Sequence, residues 1–146
     1  MSQRILYGEE YWKPVIGFEE TYEVSNFGKV RGIRAYQGWQ AGRLKKWSMH
    51  RAGYLCVTLY DKNRVRSVLV HRAVAEAFLG IMPSWYEVNH KDGNKQNPHL
   101  ENLEWVTGLE NMQHAVLNGL RSCGEDHPRS KFGTSLVKKV RKEYAL

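Results

Sequence analysis

The chain has 146 residues, of which 22 are basic and 15 acidic, so its formal net charge is +7 at pH 7. This length allows one or two small domains, and the basic excess suits a nucleic-acid partner. The sequence has no apolar stretch that could span a membrane and no paired Cys-x-x-Cys for a structural zinc. It also has no glycine-rich nucleotide loop and no Ser–His or Cys–His nucleophile arrangement.

The N-terminal third predicts a small β module. Residues 1–11 lack the apolar core of a signal peptide. Residues 12–50 predict short strands joined by glycine-rich turns, and they are too few to bury a large core alone. We therefore expect residues 1–52 to form a small antiparallel β module.

The next segment predicts a hairpin followed by a helix. Residues 54–60 and 65–70 are rich in β-branched and aromatic side chains and flank a polar turn. An apolar stripe with helical spacing then predicts a helix that packs on the hairpin. Its members are Val70, Val74, Ala77, Phe78 and Ile81.

Residues 86–119 predict a second hairpin and a second helix. Residues 86–90 and 103–107 read as short strands joined by a wide, polar loop rich in turn formers. A capping-box pattern at residues 107–110 predicts a helix from about residue 108 to Asn118-Gly119. Its spacing predicts a buried face formed by Leu109, Met112 and Val116.

The expected fold class is α+β. A small N-terminal antiparallel β module (residues 1–52) is followed by a ββα core (residues 53–119) and a short C-terminal helix. Residues 120–146 predict a polar linker and then that basic, amphipathic helix.

Two sets of motifs carry a family resemblance. The first set is WKPVIGFE at residues 12–19 and YEVSNFGKVR at residues 22–31. The second is VHRAVAEAF at 70–78, NH at 89–90, DGNK at 92–95, ENLEWVT at 101–107 and ENM at 110–112. The chain resembles the phage-type HNH homing endonucleases, in which a NUMOD4 DNA-binding motif precedes the HNH, or ββα-metal, nuclease motif.

The resemblance implies a metal-dependent DNA endonuclease and assigns its site. It makes His90 the general base, at the end of the first predicted strand, and Asn102 the structural asparagine, on the second strand. Asn111, on the helix, is a metal ligand. Asn89 is a second ligand, although this position is commonly Asp in relatives. The expected cofactor is one Mg²⁺ ion per site, or Mn²⁺, with no structural zinc.

A neutral amide at position 89 weakens the expected site, because amide oxygens attract a hard cation less than carboxylates do. Water and DNA phosphate are therefore expected to complete the metal shell. The resemblance makes residues 120–146 a linker and a truncated helical DNA-binding tail, because relatives often have a complete helix-turn-helix there. Asn89 and this short tail also keep an alternative open, namely a DNA-binding protein whose active site is retired. A third reading is a structural protein that binds RNA or another protein.

Basic residues predict the DNA-binding surface. Between residues 29 and 72 there are eleven basic residues and a single acidic one, Asp61, and several aromatic residues lie among them. Such a segment suits a phosphate backbone. The residues expected to contact DNA are Lys29, Arg31, Arg34, Arg43, Lys45, Lys46, Arg51, Arg64 and Arg66. The expected partner is double-stranded DNA, bound by a monomer or weak dimer in the host-cell cytoplasm, and one site per chain favours nicking.

Overall fold

The computed structural model describes residues 8–35, 40–61 and 64–119. These residues form small antiparallel sheets and two helices, which confirms the predicted α+β class. By its contacts the chain divides into a unit of residues 1–108 and a unit of residues 109–146. The predicted linker and C-terminal helix lie outside the described residues. The described part contains no helix that is long and apolar enough to cross a membrane.

The first sheet lies within the predicted N-terminal module. Its antiparallel strands are β1 (Trp12–Pro14), β2 (Tyr22–Ser25) and β3 (Val30–Gly32), in that spatial order. Val24 and Val30 are partners in β2 and β3, and both are fully buried. Strands this short offer little apolar surface, so this sheet needs core from elsewhere in the chain.

The second sheet contains the first predicted hairpin. Strand β5 (Leu55–Asp61) pairs along its length with β6 (Arg64–Leu69), and the short β4 (Ser48–Met49) pairs with the other edge of β5. Because β5 is the central strand, most of its residues are buried.

Helix α1 (Val70–Leu79) follows β6 without a break, so Val70 opens the helix rather than ending the strand. Val70 and Val74 are fully buried, as the apolar stripe predicts. The expectation that Ile81 extends this stripe is wrong. Gly80, with a φ of 91°, ends the helix and leaves Ile81 68% exposed.

The second hairpin consists of β7 (Tyr86–His90) and β8 (Leu103–Thr107), which pair antiparallel from end to end. A 3₁₀ turn (Leu100–Asn102) leads directly into β8. The expectation that Asn102 lies on the second strand is wrong, because it lies in this turn, one residue before the strand begins. The turn brings the chain back from the wide loop at residues 91–99.

Helix α2 (Gly108–Leu117) has nearly the predicted bounds. Its predicted buried face is wrong, however: Leu109 is 62% exposed and Met112 43% exposed, and Val116 is only half-buried. Periodic spacing shows that a helix is amphipathic, but it does not show that a partner covers the apolar side.

One hydrophobic core joins the first two sheets, α1 and the start of β8. Its members come from both the predicted β module (residues 1–52) and the predicted ββα core (residues 53–119). The boundary between these two domains stays a prediction. The members of the hydrophobic core are Val15, Phe18, Val24, Val30, Leu55, Val57, Leu59, Val70, Ala73, Val74, Leu100 and Leu103.

The turn between β2 and β3 packs against the wide loop at residues 91–99. Leu100 donates its backbone N–H to the carbonyl oxygen of Asn26 (2.8 Å). Gly28 has a φ of 81°, and a Cβ atom there would lie 2.4 Å from Cγ of Pro98. Only glycine allows both this backbone conformation and this approach. We call this contact the Gly28–Pro98 junction.

Candidate active site

His90, the last residue of β7, lies in a cluster of three aromatic rings. Its side chain points to the same face of the hairpin as Leu103, its partner in β8 and a core residue. There it meets Tyr54, which precedes β5, and His71, in the first turn of α1. Their ring centroids are 5.8 Å and 4.9 Å from that of His90. Contacts with α1 and with the residue before β5 thus position the imidazole, and we call Tyr54, His71 and His90 the ring cluster.

The imidazole of His90 has a ring nitrogen with no partner. Nε2 is buried and forms no hydrogen bond in the described part of the chain. Burial lowers the pKa of His90 below the usual value near 6.5, while Asp92 raises it and Lys95 lowers it to smaller extents. The ring is therefore neutral at physiological pH, and a neutral imidazole can accept a proton.

His71 is the second histidine of the ring cluster. It is 5% exposed, and its Nδ1 atom is also buried without a hydrogen-bond partner among the described residues. Burial lowers its pKa to about 3, with further lowering by the charges of His90 and Arg72. His71 is thus neutral too, and its ring lies 4.6 Å from that of Tyr54.

The amide of Asn102 fixes the loop that follows His90. Oδ1 of Asn102 accepts the backbone N–H of Asp92 (3.0 Å), and Nδ2 donates to Oδ1 of Asp92 (2.9 Å) and to the carbonyl oxygen of Asn97 (3.0 Å). The backbone carbonyl of Asn102 accepts the N–H of Lys91 (2.8 Å). These four bonds hold both ends of the loop together beside the imidazole.

Asn89 is paired with a carboxylate across the hairpin. It is 6% exposed, and its Nδ2 donates to Oε1 of Glu104 at 2.9 Å. The two residues are direct partners in β7 and β8 and so share one face. Because successive residues of a strand point to opposite faces, Asn89 and His90 project to different sides of the hairpin.

Asn111 is the fourth residue of α2, and its side chain is half-buried. It belongs to the unit of residues 109–146, whereas the other predicted site residues belong to the unit of residues 1–108. Within the first unit the contacts form three groups: His90 with the ring cluster, Asn102 with Asp92, and Asn89 with Glu104.

The donor groups fit a hard cation. In the described part of the chain, no three His, Cys, Asp or Glu side chains lie close enough to hold a metal ion. Two oxygen donors face each other across the hairpin: the amide of Asn89, whose Oδ1 accepts no hydrogen bond from a described residue, and the carboxylate of Glu104. Oxygen donors of this kind are the ones that hard divalent cations prefer.

The predicted DNA-binding residues fall into several groups. Three form ion pairs with N···O distances of 2.8–3.1 Å: Lys29 with Glu10, Arg31 with Glu23, and Arg34 with Glu20. Lys45 is half-buried over the ring of Tyr60, and burial lowers its pKa. Arg43 is exposed and makes other contacts. Four are exposed with no ion pair to a described residue, and we call them the open basic group: Lys46, Arg51, Arg64 and Arg66.

Sequence reasoning missed three residues around the candidate site. His71 has only a structural signal in the sequence, and Tyr54 is one of several aromatic residues in the basic segment. Glu104 has a usable signal, because end-to-end antiparallel pairing of residues 86–90 with 103–107 puts position 104 opposite Asn89. The contact of His90 with the rings of Tyr54 and His71 depends on tertiary packing, which spacing does not reveal.

Two family models match the chain in the predicted order. The NUMOD4 motif matches residues 10–60, and an HNH endonuclease model matches residues 68–113. Strands β1–β4 and all but the last residue of β5 thus lie in the first match, and the ring cluster residues His71 and His90 lie in the second.

Curated relatives are viral and phage nucleases. An HNH endonuclease of Acanthamoeba polyphaga mimivirus is 42% identical over 110 residues, which are 75% of this chain and 31% of that protein. The DNA endonuclease I-HmuI of Bacillus phage SP01 is 34% identical over 108 residues, which are 74% of this chain and 59% of that protein. The chain thus spans less than two thirds of the length of these relatives.

A solved structure supports the same family assignment as the family models and the curated relatives. The structure that describes DNA binding and cleavage by the HNH homing endonuclease I-HmuI matches with a TM-score of 0.67 and 30% identity. The match covers 90% of this chain and 66% of that one. The chain therefore belongs to the family of HNH endonucleases that includes I-HmuI, and it carries the NUMOD4 motif ahead of its HNH motif.

Proposed function

We propose that this chain is a metal-dependent endonuclease that hydrolyses phosphodiester bonds of double-stranded DNA. One site per chain makes nicking of a single strand the expected activity. The observation that carries the proposal is the buried, neutral imidazole of His90, with an unpartnered ring nitrogen, at the end of the HNH hairpin. The DNA cleavage described for I-HmuI supports the same reaction.

His90 is the general base that takes a proton from the attacking water, because it is neutral at physiological pH. Asn102 holds the loop after His90, so that the imidazole keeps one orientation while the proton moves. The products carry 5′-phosphate and 3′-hydroxyl ends.

Asn89 supplies an amide oxygen to a divalent cation, Mg²⁺ or Mn²⁺, and the family resemblance gives Asn111 the role of a metal ligand as well. When bound, the cation polarises the phosphate and stabilises the departing 3′ oxygen. Because both amides are neutral, the free protein binds the ion weakly, and DNA phosphate strengthens binding by adding charged oxygens.

The predicted basic residues bind the duplex through its phosphates. The open basic group is best placed for this role, since its charges have no acidic partner in the described part of the chain. Lys29, Arg31 and Arg34 must each break an ion pair with a glutamate before they can bind a phosphate, so they contribute less to DNA affinity.

The test is conversion of supercoiled plasmid to open-circular DNA in Mg²⁺ or Mn²⁺. His90→Ala should lower the cleavage rate by roughly three to four orders of magnitude while DNA retention in a gel shift hardly changes. His99→Ala, at an exposed histidine of the same loop, is the matched control and should cleave normally. Cleavage by the His90→Ala variant at the normal rate would refute the role of His90.

A second candidate function is DNA binding without cleavage. The amide of Asn89, where relatives commonly have Asp, favours it. A folded chain that binds duplex DNA but leaves the plasmid supercoiled in both metals would select this function over the first.

A further inference from the structure

We propose that Glu104 is the anionic ligand of the divalent cation held at Asn89, so that the carboxylate of this site lies on β8 rather than on β7. The inference rests on the proposed metal-dependent function and names a residue beyond the predicted ligand set. Asn89 then acts both as a ligand and as the group that holds the carboxylate in place before the ion arrives.

The first argument is charge. A divalent cation held by two neutral amides has no anionic ligand from the protein. Glu104 is half-buried, and its carboxylate forms no ion pair with a Lys, Arg or His among the described residues. Carboxylates taken out of water usually have a cationic partner or coordinate a metal. Asp92, the acidic residue nearest in sequence to His90, is already bound by Asn97 and Asn102.

The second argument is geometry. Nδ2 of Asn89 and Oε1 of Glu104 are 2.9 Å apart. Adjacent oxygen ligands of a six-coordinate Mg²⁺ ion, each about 2.0–2.1 Å from the metal, are separated by about 2.9 Å. Turning the Asn89 amide by half a rotation exchanges Nδ2 for Oδ1 and places two oxygens at that spacing.

The third argument is the local fold. Asn89 and Glu104 are direct partners in adjacent strands, so the hairpin sets their separation before any ion binds. The hydrogen bond to Nδ2 satisfies one carboxylate oxygen in the free protein. The second oxygen, Oε2, accepts no hydrogen bond from a described residue, so it remains available to a cation.

A purely structural role is the competing explanation. A cross-strand amide–carboxylate bond stabilises a hairpin by about 0.5–1.5 kcal/mol without any ion. Such a role needs an acceptor at position 104, and glutamine provides one as well as glutamate does. A metal-ligand role needs the negative charge.

The experiment measures Mn²⁺ binding to the full chain by the loss of its free-ion electron paramagnetic resonance signal, with and without a duplex oligonucleotide. Glu104→Gln keeps the size and the acceptor of the side chain and should weaken Mn²⁺ binding at least about tenfold. The double variant Asn89→Asp with Glu104→Gln exchanges amide and carboxylate isosterically and should recover most of that affinity. Thermal unfolding without metal should be nearly the same for all three proteins.

Wild-type Mn²⁺ affinity in Glu104→Gln, failure of the exchanged variant to recover binding, or no saturable Mn²⁺ binding by the wild-type chain would each overturn the proposal. The plasmid assay separates this result from the proposed function. A chain that binds Mn²⁺ through Glu104 but never cleaves DNA refutes the nuclease proposal alone. A chain that cleaves while Glu104→Gln binds Mn²⁺ normally refutes the ligand proposal alone.

Discussion

His71 and His90 are two imidazoles that one buried cluster keeps neutral. Each has a ring nitrogen without a hydrogen-bond partner in the described part of the chain. Charging either ring would put a cation in a buried site, and it would place two like charges 4.9 Å apart, centroid to centroid, if both were charged. The cluster therefore gives the proposed base its neutral form, and it makes the fold sensitive to acid.

The first prediction concerns stability against pH. The pKa of His71 is about 3 in the folded chain and near 6.5 when unfolded, so the unfolded chain binds the extra proton between these values. The contribution of neutral His71 to the free energy of unfolding is therefore complete above pH 6.5. It falls by about 1.4 kcal/mol per pH unit as the pH is lowered toward the folded-state pKa. Urea unfolding between pH 7 and pH 4 measures the slope.

His71→Phe should make that slope smaller, because the ionisable ring is gone. His99→Phe replaces an exposed histidine and should leave the slope as it is. Equal slopes for wild type and His71→Phe would contradict the buried, neutral state of His71.

The second prediction concerns the rate of cleavage against pH. The rate should fall as acid protonates His90, and because burial lowers the pKa of this group, the midpoint should lie below 6.5. Plasmid nicking at saturating Mg²⁺ over pH 5–8 gives the midpoint. A midpoint above 6.5 would show that His90 is not held in a desolvated site.

The amide of Asn102 joins the ends of the loop between β7 and β8. Asn102→Ala removes three side-chain hydrogen bonds that join the ends of the loop. We expect stability to fall by about 2–3 kcal/mol and the turnover rate to fall more than DNA affinity does. Gln96→Ala, at an exposed position in the same loop, is the control. A normal turnover rate in Asn102→Ala would exclude a positioning role.

The Gly28–Pro98 junction gives a prediction for a second pair of variants. Gly17 and Gly28 both have positive φ values, 79° and 81°, but a methyl group would meet a neighbour within 4 Å at Gly28 and none at Gly17. Gly17→Ala should cost about 1–2 kcal/mol of stability from backbone strain alone. Gly28→Ala should cost at least about 2 kcal/mol more, because Pro98 must also move. Equal losses of unfolding free energy in the two variants, measured by urea unfolding, would show that Pro98 moves aside at little energetic cost.

Local elements were predictable where the sequence pattern has one meaning. The alternation in residues 54–60 and the stripe of Val70 and Val74 predict β5 and α1, and both are present. Ile81 continues the spacing but lies beyond the glycine that ends the helix. Leu109 and Met112 have the right spacing for a buried face, yet burial depends on a neighbouring surface that the spacing does not specify.

The candidate site was predictable as a set of residues but not as a set of contacts. The motif around Asn89, His90 and Asn102 identifies the hairpin and its loop. The contacts of His90 with Tyr54 and His71 could not be inferred, because they join the second hairpin to the first hairpin and α1. The basic segment at residues 29–72 also overstated the charge available to DNA. Three glutamates outside it in sequence form ion pairs with its basic residues: Glu10, Glu20 and Glu23.

At the scale of the whole molecule, the net charge of +7 overstates the positive surface available to DNA. Arg31 is bound to Glu23 by two nitrogen atoms and lies over the ring of Trp12. Arg64 and Arg66 are exposed on β6 and belong to the open basic group. The salt dependence of DNA binding should therefore come mainly from the open basic group.

The corresponding prediction compares single substitutions. Arg64→Ala and Arg66→Ala should each reduce the slope of log affinity against log salt by about 0.9, whereas Arg31→Ala should reduce it by less. Fluorescence anisotropy with a labelled duplex between about 50 and 200 mM salt measures these slopes. A larger change for Arg31→Ala than for Arg64→Ala would contradict this ranking.

The Gly28–Pro98 junction has a consequence for where the duplex is cut. Because Gly28 and Pro98 leave no space for even one methyl group between them, we expect the region matched by the NUMOD4 motif and the loop beside His90 to keep a fixed relative position. Under the proposed function, the number of base pairs between the DNA sequence bound by the NUMOD4 region and the nicked bond should therefore be constant. Inserting one or two base pairs into the intervening DNA should leave that distance unchanged, so that the nick falls on different nucleotides.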